Sequence, residues 1–183
     1  IMVSAGGRHT LGLRVDGTVV ATGLDSHGEV SGVADWNDIV AIAAGYDISV
    51  GLKLDGTVVM AGDVDPSWDV SQWEDIVAIG ANVSTTRTIL GVHSDGTVVA
   101  VGDNADWCDV GDWTDVVAVG AGFAYSVGLR SDGTLVTAGN LPGNGWKKMT
   151  GISDISVGLF HLLGLRDDGT VLCAGYNSDG QCD

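Results

Sequence analysis

Histidine and cysteine, the side chains that most readily carry protons or act as nucleophiles near neutral pH, number only four and three in this 183-residue chain. None of them lies in a Gly-x-Ser-x-Gly elbow, a phosphate-binding glycine loop or a His-Glu-x-x-His helix. His9 and His161 precede equivalent Gly-Leu segments, but other copies of this position hold Ile48 and Tyr125. We therefore predict a protein that is not an enzyme and has no cofactor. These two histidines are expected to form hydrogen bonds between structural units.

Carboxylates are abundant, yet their spacing does not predict a metal site. The acidic segments 63–69 and 103–109 have the carboxylate density of a calcium loop but lack its glycine and its terminal glutamate. The three cysteines, Cys108, Cys173 and Cys182, contain no Cys-x-x-Cys pair, and their odd number argues against a disulfide framework or a structural zinc site. We expect Cys173 to be a small buried hydrophobic residue in a strand.

The formal net charge is −16, from 24 acidic and 8 basic residues. Without a basic stripe the chain has no means of displacing the counterions of a nucleic acid, and anionic membranes repel it. No apolar run approaches the ~20 residues of a membrane span, so the sequence predicts no membrane insertion. The acidity favours a partner with a basic surface, although charge of this kind also serves solubility.

Five Asp-Gly-Thr triplets, spaced 36 to 40 residues apart, organise the chain. An Asp-Gly pair between two apolar stretches predicts a hairpin, in which a type I′ turn places both central residues at positive φ. We assign these turn residues a structural role. They are Asp16, Gly17, Asp55, Gly56, Asp95, Gly96, Asp132, Gly133, Asp168 and Gly169.

The second repeat shows the strand pattern most clearly. Residues 39–43 are a β-branched run, residues 49–54 alternate up to the Asp-Gly pair, and residues 57–60 return as a third strand. A weaker fourth strand is expected around residues 69–71. Sheets this small bury their faces only by stacking. The sequence therefore predicts an all-β fold, a β-propeller of four-stranded antiparallel blades, with five blades favoured, in one domain spanning residues 1–183.

Two arrangements of the chain ends stay open at this point. The first six residues match the later part of an innermost strand, and the last eight lead toward another such strand. Either the head and tail complete one blade and close a five-bladed ring, or the chain is part of a longer array. We favour the closed ring, because closure removes open sheet edges.

The repeats resemble those of the regulator of chromosome condensation (RCC1) family, especially in its bacterial members. The shared pattern is Trp-x-Asp-Ile/Val-Val-Ala-Ile/Val, then x-x-Gly, Ser/Thr-Val/Leu-Gly-Leu, Asp-Gly-Thr-Val and Ala-x-Gly, and it covers essentially the whole chain. The resemblance implies a β-propeller but no particular activity, because fold does not determine function. The family's propeller-type β-lactamase inhibitor is a precedent for protein binding.

The aromatic residues fall into two sets. Trp36, Trp73 and Trp113 directly precede the first strand of their repeats, a recurring position that is typical of packing anchors between blades. The second set lies in or near turns and loops that differ between repeats, where exposed aromatic groups surrounded by acid predict a binding rim. That its members cap the cores of the blades is the open alternative. The second set comprises Tyr46, Trp68, Trp107, Phe123, Tyr125, Trp146, Phe160 and Tyr176.

From these loops we predict a non-enzymatic propeller that binds another protein, using one face as an interaction or inhibitor surface. Two alternatives stay open. One is a lectin-like module that binds glycans through Trp and Asp side chains, and the other is a scaffold section of a larger surface protein. We favour an extracellular or cell-surface location.

Overall fold

A computed structural model describes every residue from 1 to 183. Each repeat forms one three-stranded antiparallel sheet whose middle strand pairs with both others, and we number these sheets blades 1 to 5 in chain order. The all-β prediction is confirmed. The strands are β1 (Met2–Ala5), β2 (His9–Leu13) and β3 (Val19–Gly23) in blade 1, β4 (Ile39–Ala44), β5 (Ile48–Lys53) and β6 (Val58–Gly62) in blade 2, β7 (Ile76–Ala81), β8 (Thr88–His93) and β9 (Val98–Gly102) in blade 3, β10 (Val116–Gly122), β11 (Tyr125–Arg130) and β12 (Leu135–Gly139) in blade 4, and β13 (Ile152–Val157), β14 (His161–Arg166) and β15 (Val171–Gly175) in blade 5.

Two short 3-10 helices, Ser31–Val33 and Gly145–Lys148, interrupt the loops that follow blades 1 and 4. No helix in the protein is long and apolar enough to cross a membrane.

The Asp-Gly-Thr triplets form hairpin turns, but not of the predicted type I′. In the first turn Gly17 has φ +79°, whereas Asp16 is not at positive φ. The Gly17 N–H donates to the Arg14 carbonyl oxygen at 3.1 Å. This is a three-residue connection, a type I turn followed by a glycine bulge, and it requires positive φ only at the glycine. The aspartate serves a different purpose, because its Oδ1 accepts hydrogen bonds from the Thr18 N–H at 3.0 Å and the Thr18 hydroxyl at 2.7 Å.

The hydrophobic core lies between consecutive blades. Leu11 and Leu13 of blade 1, for example, are buried in one cluster with Ile39 and Ile42 of blade 2. A backbone hydrogen bond joins the same pair of blades, since the Ile39 N–H donates to the Gly17 carbonyl oxygen at 3.0 Å. Three further clusters join blades 2 and 3, blades 3 and 4, and blades 4 and 5. Each of the first four Asp-Gly-Thr turns is therefore followed by a blade that packs on it.

The expected fourth strand does not form. Residues 63–75 adopt turns, in which Asp65 Oδ1 accepts from the Ser67 N–H at 2.8 Å and Asp69 Oδ1 accepts from the Ser71 N–H at 2.8 Å. Such local side-chain acceptors compete with the hydrogen bonds of a sheet ladder. Pro66 also has no N–H to donate to a neighbouring strand. The predicted four-stranded blade is therefore wrong, and three strands form each sheet.

The head and tail of the chain do not share a blade, so that expectation is also wrong. Strand β1 pairs only with β2, and β15 pairs only with β14. The outward face of blade 5 is correspondingly open, with Leu165 40% and Val171 57% exposed, whereas their counterparts in blade 4, Leu129 and Leu135, are buried. The packing that each blade receives from the next one accounts for this difference.

A disulfide joins Cys173 in β15 to Cys182 in the tail, with 5.3 Å between the Cα atoms. The prediction that Cys173 is a plain buried residue was wrong because the tail turns back on itself. The Cys182 N–H donates to Asn177 Oδ1 at 2.7 Å, which holds the second cysteine beside the strand. The odd count arises from Cys108, which is a free, half-buried thiol whose pKa is raised by burial, with a smaller contribution from Asp103.

Candidate functional site

Two loops of every blade meet on one face of the array. The turn between the first and second strands and the loop after the third strand lie at the same end of each antiparallel sheet, opposite the Asp-Gly-Thr turns. We call this the loop face. It holds the chain segments that vary most between repeats, and so it is where the repeats can differ in chemistry.

The most exposed aromatic group on the loop face is formed by Phe123, Phe160 and Tyr176, which we call the aromatic triad. Their exposed fractions are 40%, 42% and 46%. The rings of Phe123 and Phe160 lie 5.3 Å apart, and those of Phe160 and Tyr176 lie 6.4 Å apart in an edge-on arrangement. Leu159, 39% exposed, precedes the central ring. These side chains come from two blades and the tail, and they bring together large apolar groups that remain open to solvent.

Backbone hydrogen bonds hold the triad in place. The Phe123 N–H donates to the Leu159 carbonyl oxygen at 2.8 Å, which ties the turn of blade 4 to that of blade 5. The Tyr176 N–H donates to the Phe160 carbonyl oxygen, also at 2.8 Å. Because every ring is attached to a hydrogen-bonded turn, the backbone of the triad is arranged before any partner arrives.

Tyr125 supports the triad from below. Its side chain is fully buried, and its hydroxyl lies 2.8 Å from the Gly158 carbonyl oxygen and 2.9 Å from that of His161, so it can donate to either. Burial raises the pKa of Tyr125, which keeps the hydroxyl protonated as a donor. The preceding residue, Ala124, has φ +66°, a conformation that costs free energy outside glycine. The tight turn that presents Phe123 is thus secured across the blade boundary.

A shallow depression of about 400 Å³ lies beside the triad, lined by Phe160, Tyr176, Asp179 and Gln181. Asp183 is nearby and accepts a hydrogen bond from the Asn177 amide at 2.8 Å. No basic residue lines the depression. An apolar surface bordered by carboxylates is therefore the main chemical feature of this part of the loop face.

Two arginines of the loop face are already paired within the chain. The Arg8 guanidinium lies 4.8 Å above the Tyr46 ring and donates to the Tyr46 hydroxyl at 2.6 Å. The Arg87 guanidinium lies 4.8 Å above the Trp68 ring. It also forms ion pairs with Asp63 at 2.6 Å and Asp103 at 3.2 Å. These contacts leave the surrounding carboxylates in excess, so the loop face is acidic.

The residues predicted to form the binding rim differ in their exposure to solvent. Trp68 is 8% exposed and Tyr125 is not exposed at all, so neither offers a contact surface. Trp107 and Trp146 are half-buried, and Tyr46 is half-buried beneath Arg8. Only the members of the aromatic triad form one exposed group. Their binding role stays a prediction.

The tryptophans expected to pack between blades lie against glycines of the middle strands. Trp36 covers Gly51, Trp73 covers Gly91 and Trp113 covers Gly128, each so closely that a Cβ atom on the glycine would lie 2.8 to 2.9 Å from the indole. In blade 5 the segment before the first strand differs in sequence from its counterparts in the other blades, and the packing differs with it. Met149, rather than Trp146, covers the equivalent Gly164.

His9 forms the expected hydrogen bond between blades, with its Nε2 atom 3.0 Å from the Ser49 hydroxyl. Burial lowers the pKa of His9, while Glu29 and Asp47 oppose that shift. The Ser49 hydroxyl donates to the Glu29 carbonyl oxygen at 2.6 Å, so His9 Nε2 carries a proton and donates to Ser49. The His161 ring makes no comparable hydrogen bond. The prediction is thus confirmed for His9 alone.

Sequence reasoning missed several residues of the loop face. The roles of Arg8 and Arg87 as internal partners of aromatic rings had no local signal. Asp179 and Gln181 lie in a tail whose position depends on the disulfide. Only the repeat offsets that place Phe123 and Phe160 in equivalent turns could have indicated that their rings meet.

Comparison with known families now identifies the repeat. Residues 3–29 and 152–181 match the regulator of chromosome condensation (RCC1) repeat. The chain contains RCC1 repeats. These matched segments belong to blades 1 and 5, and the same strand and turn pattern continues through the blades between them. No curated protein sequence is significantly similar to the chain.

Solved structures show the same fold at low sequence identity. Prp20p from Saccharomyces cerevisiae has a TM-score of 0.75 at 18% identity, over 98% of this chain and 57% of that one. Human WBSCR16 has a TM-score of 0.77 at 18% identity, over 98% of this chain and 62% of its own. The CRINKLY WD40 ectodomain of the Arabidopsis thaliana receptor kinase ACR4 has a TM-score of 0.73 at 20% identity, over 96% of this chain and 71% of that one. The chain therefore has a β-propeller fold, and it spans less than two thirds of the length of Prp20p and WBSCR16.

The Prp20p structure is described together with its binding to Gsp1p and histones. A second structure shows Kap60 bound to yeast RCC1 (Prp20), with a TM-score of 0.69 at 18% identity, over 98% of this chain and 56% of that one. Propellers with this repeat thus include proteins that bind other proteins.

Proposed function

We propose that this chain is a non-enzymatic RCC1-type propeller that binds another protein through the aromatic triad of its loop face. The observation that carries the proposal is the contiguous exposure of Phe123, Phe160 and Tyr176 on hydrogen-bonded turns. Exposed aromatic groups of this kind supply much of the binding free energy at protein interfaces. Burying them on a partner removes apolar area from water, at ~25 cal/mol per Å².

The fixed backbone of the triad supports the same function. An interface that is arranged in advance loses less conformational entropy on binding than one that must be ordered. Phe123 and Phe160 have two rotatable side-chain bonds each, so immobilising their rings also costs little. The hydrogen bonds from Phe123 to Leu159 and from Tyr176 to Phe160 therefore lower the entropic cost of recognition by these rings.

The charge of the loop face indicates which partner it suits. Asp179 lines the depression beside the triad, Asp183 contacts the adjoining Asn177, and the net charge of the chain is −16. A partner with a basic, partly apolar surface would be attracted over a distance of about one Debye length, ~8 to 10 Å in physiological salt. We expect the association rate with such a partner to fall as the salt concentration rises.

The test uses the complete chain and a library of displayed random peptides as the probe. Peptides selected on the immobilised protein should be rich in Lys, Arg and aromatic residues. Replacement of the central ring, Phe160→Ala, should weaken their binding by about 30-fold, as expected for an interface hot spot. Leu54→Ala is the matched control, because Leu54 is 75% exposed and lies near the opposite, Asp-Gly-Thr end of blade 2.

The proposal fails if selected peptides bind Phe160→Ala as tightly as the unmodified chain, or if Leu54→Ala weakens them equally. A glycan array probed with the unmodified chain and with the Phe160→Ala variant tests the lectin-like alternative. We expect no glycan to bind, because Trp68 is 8% exposed and the indoles of Trp107 and Trp146 are half-buried. Glycan binding that is lost in Phe160→Ala would replace the protein-binding proposal with the lectin-like one.

A further inference from the structure

A fully buried carboxylate occupies a position that holds an indole elsewhere in the repeat. Glu29, in the loop after blade 1, is 0% exposed, and its carbonyl oxygen accepts from the Ser49 hydroxyl at 2.6 Å. In the loop after blade 3, the Trp107 carbonyl oxygen accepts from the equivalent Ser126 hydroxyl at 2.7 Å. The two loops thus reach the next blade in the same way, but one of them places a charge where the other places a ring. A buried charge where another repeat holds an apolar ring is a departure from the repeat pattern that is typical of a functional site.

Two further metal-binding side chains lie next to Glu29. One ligand atom each from His27, Glu29 and Asp47 can be chosen so that all three lie within 4.8 Å of one another. The Glu29 carboxylate is held in place by the Ser26 N–H at 3.3 Å and the His27 N–H at 2.7 Å. Each of its oxygens retains a free lone pair.

Asp47 lacks the hydrogen bonds that would explain its position. Its Oδ1 atom is inaccessible to solvent and has no hydrogen-bond partner. Most buried polar atoms of this kind are paired, and those that are not need a bound ion, a water molecule or a function to explain them. Asp47 offers a carboxylate oxygen to the same group of potential ligands as Glu29 and His27, and a bound cation would satisfy this unpaired side chain.

The charges around this group also favour a cation. Two carboxylates lie together here, but both ion pairs in the chain belong to Arg87, which binds Asp63 and Asp103. No Lys or Arg therefore compensates Glu29 and Asp47. The acidic loop at Asp63 provides a comparison within the same molecule, because there a guanidinium already supplies the positive charge. Two carboxylates brought together without a cation would repel each other.

We propose that His27, Glu29 and Asp47 bind a divalent transition-metal ion between blades 1 and 2. One imidazole nitrogen and two carboxylates form a mixed donor set that Zn²⁺ accepts, whereas Ca²⁺ and Mg²⁺ prefer oxygen ligands alone. Neighbouring ligands of tetrahedral Zn²⁺ lie about 3.3 Å apart for bonds of ~2.0 to 2.1 Å. The exposed His27 can move to complete that geometry. A fourth position stays open for water.

Binding would connect two parts of the chain that are distant in sequence. His27 and Glu29 belong to the loop after blade 1, and Asp47 belongs to the turn between β4 and β5 of blade 2. The ion would therefore stabilise the boundary between the two blades, and it would do so only in the folded state. This consequence can be measured without any knowledge of the partner of the loop face.

The test is calorimetric titration of the chelator-treated complete chain with ZnCl₂. One Zn²⁺ ion should bind per chain, and the melting temperature should rise with it. Asp47→Asn and Glu29→Gln should each weaken binding by more than about tenfold. Glu29→Gln is a mild change, because the corresponding residue of the tail is already a glutamine. Gln181 lies six residues after Gly175, just as Glu29 lies six residues after Gly23. There the Asp179 N–H donates to Gln181 Oε1 at 3.1 Å, as the His27 N–H does to Glu29.

Matched controls separate this site from adventitious binding. His93→Ala removes a histidine on the opposite side of the sheets, and Cys108→Ser removes the free thiol. Both should bind Zn²⁺ as the unmodified chain does. The proposal is overturned if Asp47→Asn and Glu29→Gln leave the affinity unchanged, if either control abolishes binding, or if no Zn²⁺ binds. Should Glu29→Gln fail to fold, Asp47→Asn and the NMR shift of the His27 ring on metal addition decide the matter.

Discussion

The indole of Trp73 lies directly over Gly91, so that a Cβ atom at residue 91 would come within 2.9 Å of two ring carbons. Residue 91 has no side chain because the Trp73 ring occupies the space that a side chain would fill. The same relationship recurs between Trp113 and Gly128. The Trp-x-Asp and Gly-Leu parts of the repeat are thus two halves of one packing contact, which neither half explains alone.

Gly91→Ala should therefore destabilise the protein by about 1 to 3 kcal/mol, because overpacking a rigid core forces the indole or the backbone to move. The matched control is Gly12→Ala in blade 1, where no indole covers the strand and the nearest contact is Val20 Cγ2 at 3.2 Å. Urea unfolding curves of the two variants would measure the difference. Equal losses of stability would show that the indole is not the cause.

The Asp-Gly-Thr turns should respond to acid through their aspartates. Hydrogen bonds from the Thr97 side chain and backbone lower the pKa of Asp95 below its usual 3.8. A lowered pKa in the folded state stabilises that state above pH ~4, and the stabilisation is lost as the pH falls through the lowered value. NMR titration of the Asp95 carboxyl should show this shift directly.

Thr97→Val tests the cause of that shift. It removes the hydroxyl that lies 2.7 Å from Asp95 Oδ1, while the backbone hydrogen bond at 2.9 Å can remain. The pKa of Asp95 should then rise toward 3.8, and that of Asp132 in the same protein should stay low. A pKa of Asp95 that does not move would exclude the threonine hydroxyl as the main cause.

The disulfide between Cys173 and Cys182 should anchor the tail. It closes a loop with a sequence separation of 9, and chain entropy alone gives such a crosslink roughly 3 kcal/mol. Cys182→Ser should loosen Tyr176 and Asp179 beside the aromatic triad. Thiol titration of the denatured chain should find one free thiol before reduction and three after it. Three thiols before reduction would contradict the pairing.

Hydrogen exchange should distinguish blade 5 from blade 3, although their middle strands have the same hydrogen-bond pattern. In β8, Leu90 and Val92 are completely buried, whereas Leu165 in β14 is 40% exposed. Local opening of β14 therefore uncovers less apolar area, and we expect its amides to exchange about tenfold faster than those of β8. Equal protection in dilute solution would show that the face of blade 5 is covered.

The strands and turns could be predicted from the sequence because their causes are local. The β-branched run of residues 39–43 forms β4, and the Asp-Gly pairs mark the hairpin between the second and third strands of every blade. The type of that turn was predicted wrongly, because the dipeptide itself does not distinguish a type I′ turn from a type I turn with a glycine bulge. The Asp16 contact with Thr18, two residues away, accompanies the second form.

The repeat alone determined that the chain is all-β and built of small stacked sheets. Tertiary structure decided which variable side chains meet. Phe123 and Phe160 are 37 residues apart in the sequence, yet adjacent blades bring their rings to 5.3 Å. Trp68 and Tyr125 carry equally aromatic side chains but are buried, Trp68 in the core cluster between blades 2 and 3 and Tyr125 in the one between blades 4 and 5. Strand periodicity depends on neighbouring residues, whereas burial in a loop depends on the packing of the next blade, which no short stretch of sequence contains.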